Sequence, residues 1–220
     1  MRELSLLEAR VLGVLVEKAH TVPDSYPLSL NALVAGCNQK TARDPVINAT
    51  EAEVQVAVDA LKSLHLAAES SGSRVTRYEH NMGRAMALPS QSVALLATLL
   101  LRGPQTVAEL RANSDRLHRF ADLSAVEGFL NELAERLVEK GGPLAMKLSR
   151  APGSRESRWA HLLCGAVDAA ALAGDSGSDD FISASELATL KGRQQEMRAE
   201  IEALRALVDR LYDELGVSRN

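Results

Sequence analysis

A chain of 220 residues that is 46% hydrophobic and 25% charged has the composition of an ordinary soluble globular protein, long enough to bury a real core. Its two cysteines, Cys37 and Cys164, cannot build a disulfide framework, and no C-x-x-C offers zinc or redox chemistry, so both read as small buried hydrophobes in a reducing compartment. Arg2, Glu3, Glu8 and Arg10 interrupt any signal-peptide core, and the longest apolar run, Val93 to Leu101, falls short of the about 20 residues a spanning helix needs, so the expected location is cytoplasmic, away from the membrane.

The formal net charge is −4, and no block carries a polybasic arm. Residues 1–80 hold 8 basic and 10 acidic side chains, residues 102–158 hold 10 and 8, and residues 159–220 hold 6 and 11. Attraction to phosphate must therefore be local if it operates at all.

Five capping boxes, Ser5…Glu8, Thr50…Glu53, Thr106…Glu109, Ser124…Glu127 and Ser183…Glu186, each precede an apolar pattern of helical spacing. The first predicts a helix over 5–19 with Val11, Leu12, Leu15 and Val16 inward. A short helix follows at 29–37, and the Thr50 box opens a third with Val54, Val58 and Leu61 on one stripe. Strand-like stretches 66–70 and 74–79 meet across Ser71-Gly72-Ser73, a hairpin signal. The order then recurs: a helix at 90–102 stopped by Gly103-Pro104, a short helix at 106–113, a helix at 124–138, and strands 144–150 and 157–163 across Pro152-Gly153.

Helix, short helix, helix, hairpin is the order of a winged helix-turn-helix domain, here met twice. The wings align residue by residue: Ser73-Arg74-Val75-Thr76-Arg77-Tyr78-Glu79-His80 against Ser154-Arg155-Glu156-Ser157-Arg158-Trp159-Ala160-His161. The expected fold class is thus mainly α with small β-hairpin wings (α+β): tandem winged helix-turn-helix domains at 1–84 and 88–164. A linker rich in Ala, Gly, Ser and Asp follows at 165–182, and a C-terminal coiled-coil helix at 183–216. In that helix Leu187, Gln194, Ile201, Val208 and Leu215 take heptad position a, and Leu190, Met197, Leu204 and Leu211 take d. β-Branched Ile201 and Val208 at a with leucine at d favour a parallel homodimer, and Gln194 helps to fix register. A helix folded back on its own domains is the competing arrangement.

The segment Ala35-Gly36-Cys37-Asn38-Gln39-Lys40-Thr41-Ala42-Arg43-Asp44-Pro45-Val46 resembles the signature stretch of the YceH-like family of bacterial proteins. Leu6-Leu7-Glu8-Ala9-Arg10-Val11, Leu99-Leu100-Leu101-Arg102-Gly103 and Gly153-Ser154-Arg155-Glu156-Ser157-Arg158 extend the resemblance over 1 to about 164. It implies a tandem winged-helix fold. It implies no activity, and it carries no catalytic or ligand-binding residue onto this chain.

The candidate contacts come from the residues themselves. The stretch from Asn38 to Ala49 is far longer than an ordinary helix-turn-helix connection, and its Lys40 and Arg43, read as solvent-facing, make it a recognition loop or a self-satisfied Ω-like loop. Arg74, Arg77, Arg155 and Arg158 tip the wings, either to meet an anion or partner or to pair with nearby acids. Tyr78 and Trp159 read as core aromatics in the second of these alternatives. The third helices present Gln55, Val56, Asp59 and Lys62 in the first copy and Glu127, Asn131, Glu132, Glu135 and Arg136 in the second, and neither face is basic. There is no Walker loop, no Gly-x-Ser-x-Gly and no His-Glu-x-x-His, so no catalytic, cofactor or metal residue is assigned.

Two functions stay open. One is a DNA-associated regulator acting through the wings and the 38–49 loop. The other is a protein–protein interaction module that uses its acidic third helices and no nucleic acid. In either, Leu190, Gln194, Met197, Ile201, Leu204, Val208 and Leu211 form the expected dimer seam.

Overall fold

Ser5 opens α1 (Leu6–Thr21) with a complete capping box: its hydroxyl accepts the Glu8 N–H, and the Glu8 carboxylate accepts the Ser5 N–H at 2.8 Å. The same reciprocal geometry at Thr50 and Thr106 starts α3 (Glu51–Ser63) and α6 (Val107–Ser114). Ser29 caps α2 (Leu30–Cys37), and Pro89 leads into α5 (Ser90–Arg102), which ends at Gly103 with φ +70. The computed structural model describes residues 2–70, 75–150 and 155–165. The wing tips around Gly72 and Gly153, the linker from 166 onward and the heptad seam from Leu187 to Leu215 lie outside the described residues.

One helix start differs from expectation. Ser124 is not the cap of α7 (Leu123–Ala134); Asp122 is, its carboxylate accepting the Ala125 N–H at 2.8 Å and the Ser124 hydroxyl at 2.7 Å. An ionised acceptor at a helix N-terminus outcompetes a hydroxyl two residues later. Glu127 turns instead to Lys147, 3.1 Å away. The helix also stops at Ala134 rather than 138, because the Leu133 carbonyl accepts from Leu144 N–H and the chain turns away through a 3-10 turn at Val138–Lys140.

Both hairpins form, shorter than the sequence suggests. β2 (Ala67–Ser70) pairs antiparallel with β3 (Arg77–His80), and β4 (Ala145–Lys147) pairs antiparallel with β5 (Trp159–His161). A two-residue strand, β1 (Leu28–Ser29), adds to the far edge of β3 with Leu28 opposite Tyr78, giving the order β1-β3-β2. It is too short to show any periodicity in the sequence. The second sheet repeats the device as a single bridge, Gln105 opposite Trp159. A one-turn α4 (Met82–Ala85) drops Met82 into the core before α5. The architecture among the described residues is thus mainly helical α+β with two small antiparallel sheets.

The core runs through both copies without a break. α1 is buried from Glu8 to Val16 and α5 from Ser92 to Leu101, so each is enclosed on all sides, as befits helices at the centre of a larger unit. They pack on each other closely at Gly13, where a Cβ would lie 3.0 Å from the Leu101 side chain. Leu4 N–H donates to Leu163 O at 2.8 Å and ties the N-terminal segment to the end of the second hairpin. Among the described residues no helix is long and apolar enough to cross a membrane.

Candidate interaction surfaces and the inter-repeat cleft

The loop between α2 and α3 is held from within. Asn38 closes its base by donating to Ala49 O at 2.8 Å and accepting Ala49 N–H at 2.7 Å. Arg10 lies in the buried stretch of α1, and its guanidinium donates to Cys37 O at 3.2 Å and Pro45 O at 2.6 Å. Asp44 N–H donates to Leu101 O at the end of α5, so the loop also caps the neighbouring copy.

Arg43, expected to face solvent, does not. Its side chain is fully buried, donating to Gly36 O at 3.0 Å and making two bonds to Glu17, at 3.1 and 2.6 Å. The reason is electrostatic. Burial works against ionisation of Glu17, but hydrogen bonds from Arg43 and the charges of Arg43 and Lys18 outweigh it and hold the carboxyl below its ordinary range. Arg43 is a strut of the loop. Lys40, by contrast, is exposed. Cys37 sits beneath the two arginines, and burial pushes its thiol up to about 12, which removes thiolate chemistry near neutral pH. Cys164 is only half-buried, less enclosed than expected.

The hairpins, expected to serve as wings, use their arginines in two ways. Arg77 donates to Pro27 O at 2.8 Å and Ser25 O at 3.3 Å; its counterpart Arg158 donates to Pro104 O at 3.4 Å and lies 4.0 Å from Glu109. Each lashes its wing to the residues just before the short helix of the same copy. Arg155 is exposed, and Arg74 lies outside the described residues. Tyr78 and Trp159 are core residues, 4% and 1% exposed, and the Tyr78 hydroxyl donates to Gln55 Oε1 at 3.1 Å.

On α3, Asp59 accepts from Gln55 and Lys62, which lower its carboxyl pKa, and Lys62 also pairs with Glu69. The cation on this helix is therefore neutralised by acids on both sides. Val56 is 70% exposed, and beside it a shallow groove of about 350 Å³ opens between α3 and the start of α1, lined by Leu7, Ala52, Val56 and Ala57. On α7, Asn131, Glu132 and Glu135 face solvent, and Leu137 and Val138 beyond it are exposed.

A second cleft, also of about 350 Å³, lies where the copies meet. Lys18 of α1, Gln39 and Thr41 of the loop, Arg102 at the end of α5 and Arg116 after α6 line it, with Glu17 its one carboxylate. Sequence reading missed this cluster, since four separate segments supply it and no local spacing announces it. Arg10 did leave a signal, as a lone cation within an otherwise apolar helix stretch.

The family described as "Protein of unknown function, DUF480" matches residues 4–154. A UPF0502 protein of Leptothrix cholodnii is 60% identical over 220 residues, covering 99% of this chain and 97% of its own length. UPF0502 proteins of Burkholderia pseudomallei and Burkholderia ambifaria are 60% and 59% identical, each over 99% of this chain and 91% of their own length. With α1 through β5 inside or adjoining the matched span, the chain belongs to the DUF480/UPF0502 family of uncharacterised bacterial proteins.

Proposed function

We propose that the chain is a non-catalytic, cytoplasmic tandem winged-helix protein of the YceH-like kind, its modules at 1–84 and 88–164, that binds a protein partner through its third helices. The observation that carries this reading is the surface of α3: an apolar groove around Val56 whose acids are Glu8 and Glu53, and, on the same helix, Asp59 and a Lys62 held by two acids. Such a face repels phosphate and suits an amphipathic segment whose apolar side chains are flanked by lysine or arginine. The end of α7 repeats the combination with Glu132, Glu135, Leu137 and Val138. Three of the arginines that a DNA reading would enlist, Arg43, Arg77 and Arg158, are bonded to their own chain.

The DNA reading retains Lys40 and Arg155, both exposed, and Arg74. The heptad seam at 183–216 adds a parallel homodimer to either reading. Sedimentation of the full chain against a truncation after Gly165 tests that seam: a dimer that becomes a monomer supports it, and a full-length monomer at tens of micromolar contradicts it. The function is tested by quantitative crosslinking in cells of the wild type, Val56→Arg and Asp59→Lys. Loss of the same crosslinked protein in both variants, with melting temperature unchanged, is the expected result. Crosslinks that survive both substitutions, or that form only to DNA, contradict it.

A further inference from the structure

Among the described residues, the buried and half-buried arginines follow a rule with one exception. Arg10, Arg43, Arg77, Arg136 and Arg158 each donate to a backbone carbonyl. Arg102 is half-buried too, yet its guanidinium has no hydrogen-bond or ion-pair partner among the described residues. It lines the cleft between the copies, and Arg116, also unpartnered among the described residues, stands in the same cleft. The stem of Arg102 is covered, but its guanidinium nitrogens still reach solvent, so the donors of both arginines stand free for a dissolved acceptor.

The rest of the cleft explains what such donors could meet. Its one carboxylate, Glu17, is already neutralised by Arg43 beneath it, at 2.6 Å. Lys18 Nζ lies 3.2 Å from Glu17 and 3.3 Å from Gln39 Oε1, so it is fixed at the wall. Counting Glu17 against Arg43, Lys18, Arg102 and Arg116 remain as positive charge in excess. Thr41 Oγ1 accepts from Gln39 at 3.2 Å, which leaves its O–H to donate. A volume of about 350 Å³ is at the small end of ligand pockets. Part of the role of Arg102 is to complement the carboxyl end of the α5 dipole, but that needs only proximity and no directed acceptor.

We propose that this inter-repeat cleft binds a small polyanion, a metabolite bearing phosphate or several carboxylates, with Arg102 and Arg116 as its forked donors and Lys18 as a fixed charge. The ligand would bridge α1 and the loop of one copy to α5 and α6 of the other, so its occupancy would stiffen the junction. The site is separate from the third-helix faces, and its fate does not depend on whether those faces bind protein.

Isothermal titration of the full chain with inorganic pyrophosphate and, separately, with citrate tests it. The expected result is saturable binding of at least one anion at a single site. Arg116→Gln should weaken it about tenfold, and Arg102→Gln with Arg116→Gln further still. Arg84→Gln, at an exposed arginine outside the cleft, should leave it unchanged. Pyrophosphate alone would assign a phosphoryl ligand, citrate alone a polycarboxylate, and binding of both a site that reads charge. No saturable binding of either anion at millimolar concentration overturns the proposal. So does equal affinity in wild type and Arg116→Gln, an exposed position whose substitution leaves the fold intact.

Discussion

The two copies share an order of elements and differ in how they hold the connection between their second and third helices. In the first copy, residues 38–50 are fixed by two buried arginines, Arg10 and Arg43, the latter ion-paired with Glu17. In the second, residues 115–122 are fixed by an aromatic plug: Phe120 is buried, 4.8 Å from His118 and 6.1 Å from Phe129 between ring centroids. Arg111 there only touches the Phe120 and Ala121 carbonyls from outside. What the copies keep in common is the wing tether. Arg77 and Arg158 reach back to Pro27 and Pro104, and the strand residues beside them, Tyr78 and Trp159, pair with Leu28 and Gln105. A tether can be copied intact because it is local to the wing, whereas a loop changes length and must find a new internal filling.

The largest effect is expected at the shared wing position. Trp159→Ala removes a fully buried indole and should cost about 4 kcal/mol in denaturant unfolding. Tyr78→Phe, which loses only the bond to Gln55, should cost about 1 kcal/mol. A Tyr78→Ala variant that costs far less than Trp159→Ala would break the equivalence of the two hairpins.

Next, Arg43→Met should cost about 3 kcal/mol, because it leaves the Glu17 carboxylate largely buried without its main partner. Arg111→Met in the second loop should cost less than about 1 kcal/mol. Adding Glu17→Gln to Arg43→Met should recover part of the loss, a coupling that a double-mutant cycle reads directly.

Acid should weaken the second hairpin first. Burial lowers His161 from its ordinary value to about 4, and lowers His80 in the first hairpin as well. A depressed histidine pKa means that the unfolded chain binds the extra proton between about pH 6.5 and 4. Stability is then full above pH 6.5 and falls as pH drops through that window, by about 3 kcal/mol for His161. Unfolding followed from pH 7.5 to 4.5 should show this slope, and His161→Gln should flatten it. The carboxylates lowered by partners, Glu8 and Glu17, add their own loss only at lower pH.

Smaller effects separate the copies further. Gly36→Ala would place a Cβ 2.6 Å from Val14 Cγ1 in the first copy and should cost about 1–2 kcal/mol, whereas Gly128→Ala on α7 meets nothing and should be neutral or slightly stabilising. Thr106→Ala removes the capping box of α6 at a cost of about 1 kcal/mol.

The sequence was most informative where a structure is built from neighbours. Capping boxes at Ser5, Thr50 and Thr106 set helix starts to the residue, and Gly103 marked a stop. The two hairpin segments align in the sequence because their tether, Arg77 to Pro27 and Arg158 to Pro104, is local. The α7 cap was misread because Asp122 and Ser124 both offer an acceptor and only the fold shows which is used. Arg43 was misplaced because the partner that buries it, Glu17, lies on another helix and is remote in sequence. β1 and the Gln105 bridge have one or two residues each and leave no pattern. The inter-repeat cleft draws on four segments and was invisible for the same reason.

We propose that the faces of α3 and α7 bind a protein partner in place of DNA. Fluorescence anisotropy of a labelled duplex, titrated with the full chain at about 0.05 M and about 0.2 M salt, tests it most directly. The account predicts only weak association at the lower salt, no tighter than the micromolar range of non-specific binding, and none that responds to Lys40→Ala or Arg155→Ala. Sub-micromolar binding that weakens steeply with salt and is lost in those two variants would contradict it.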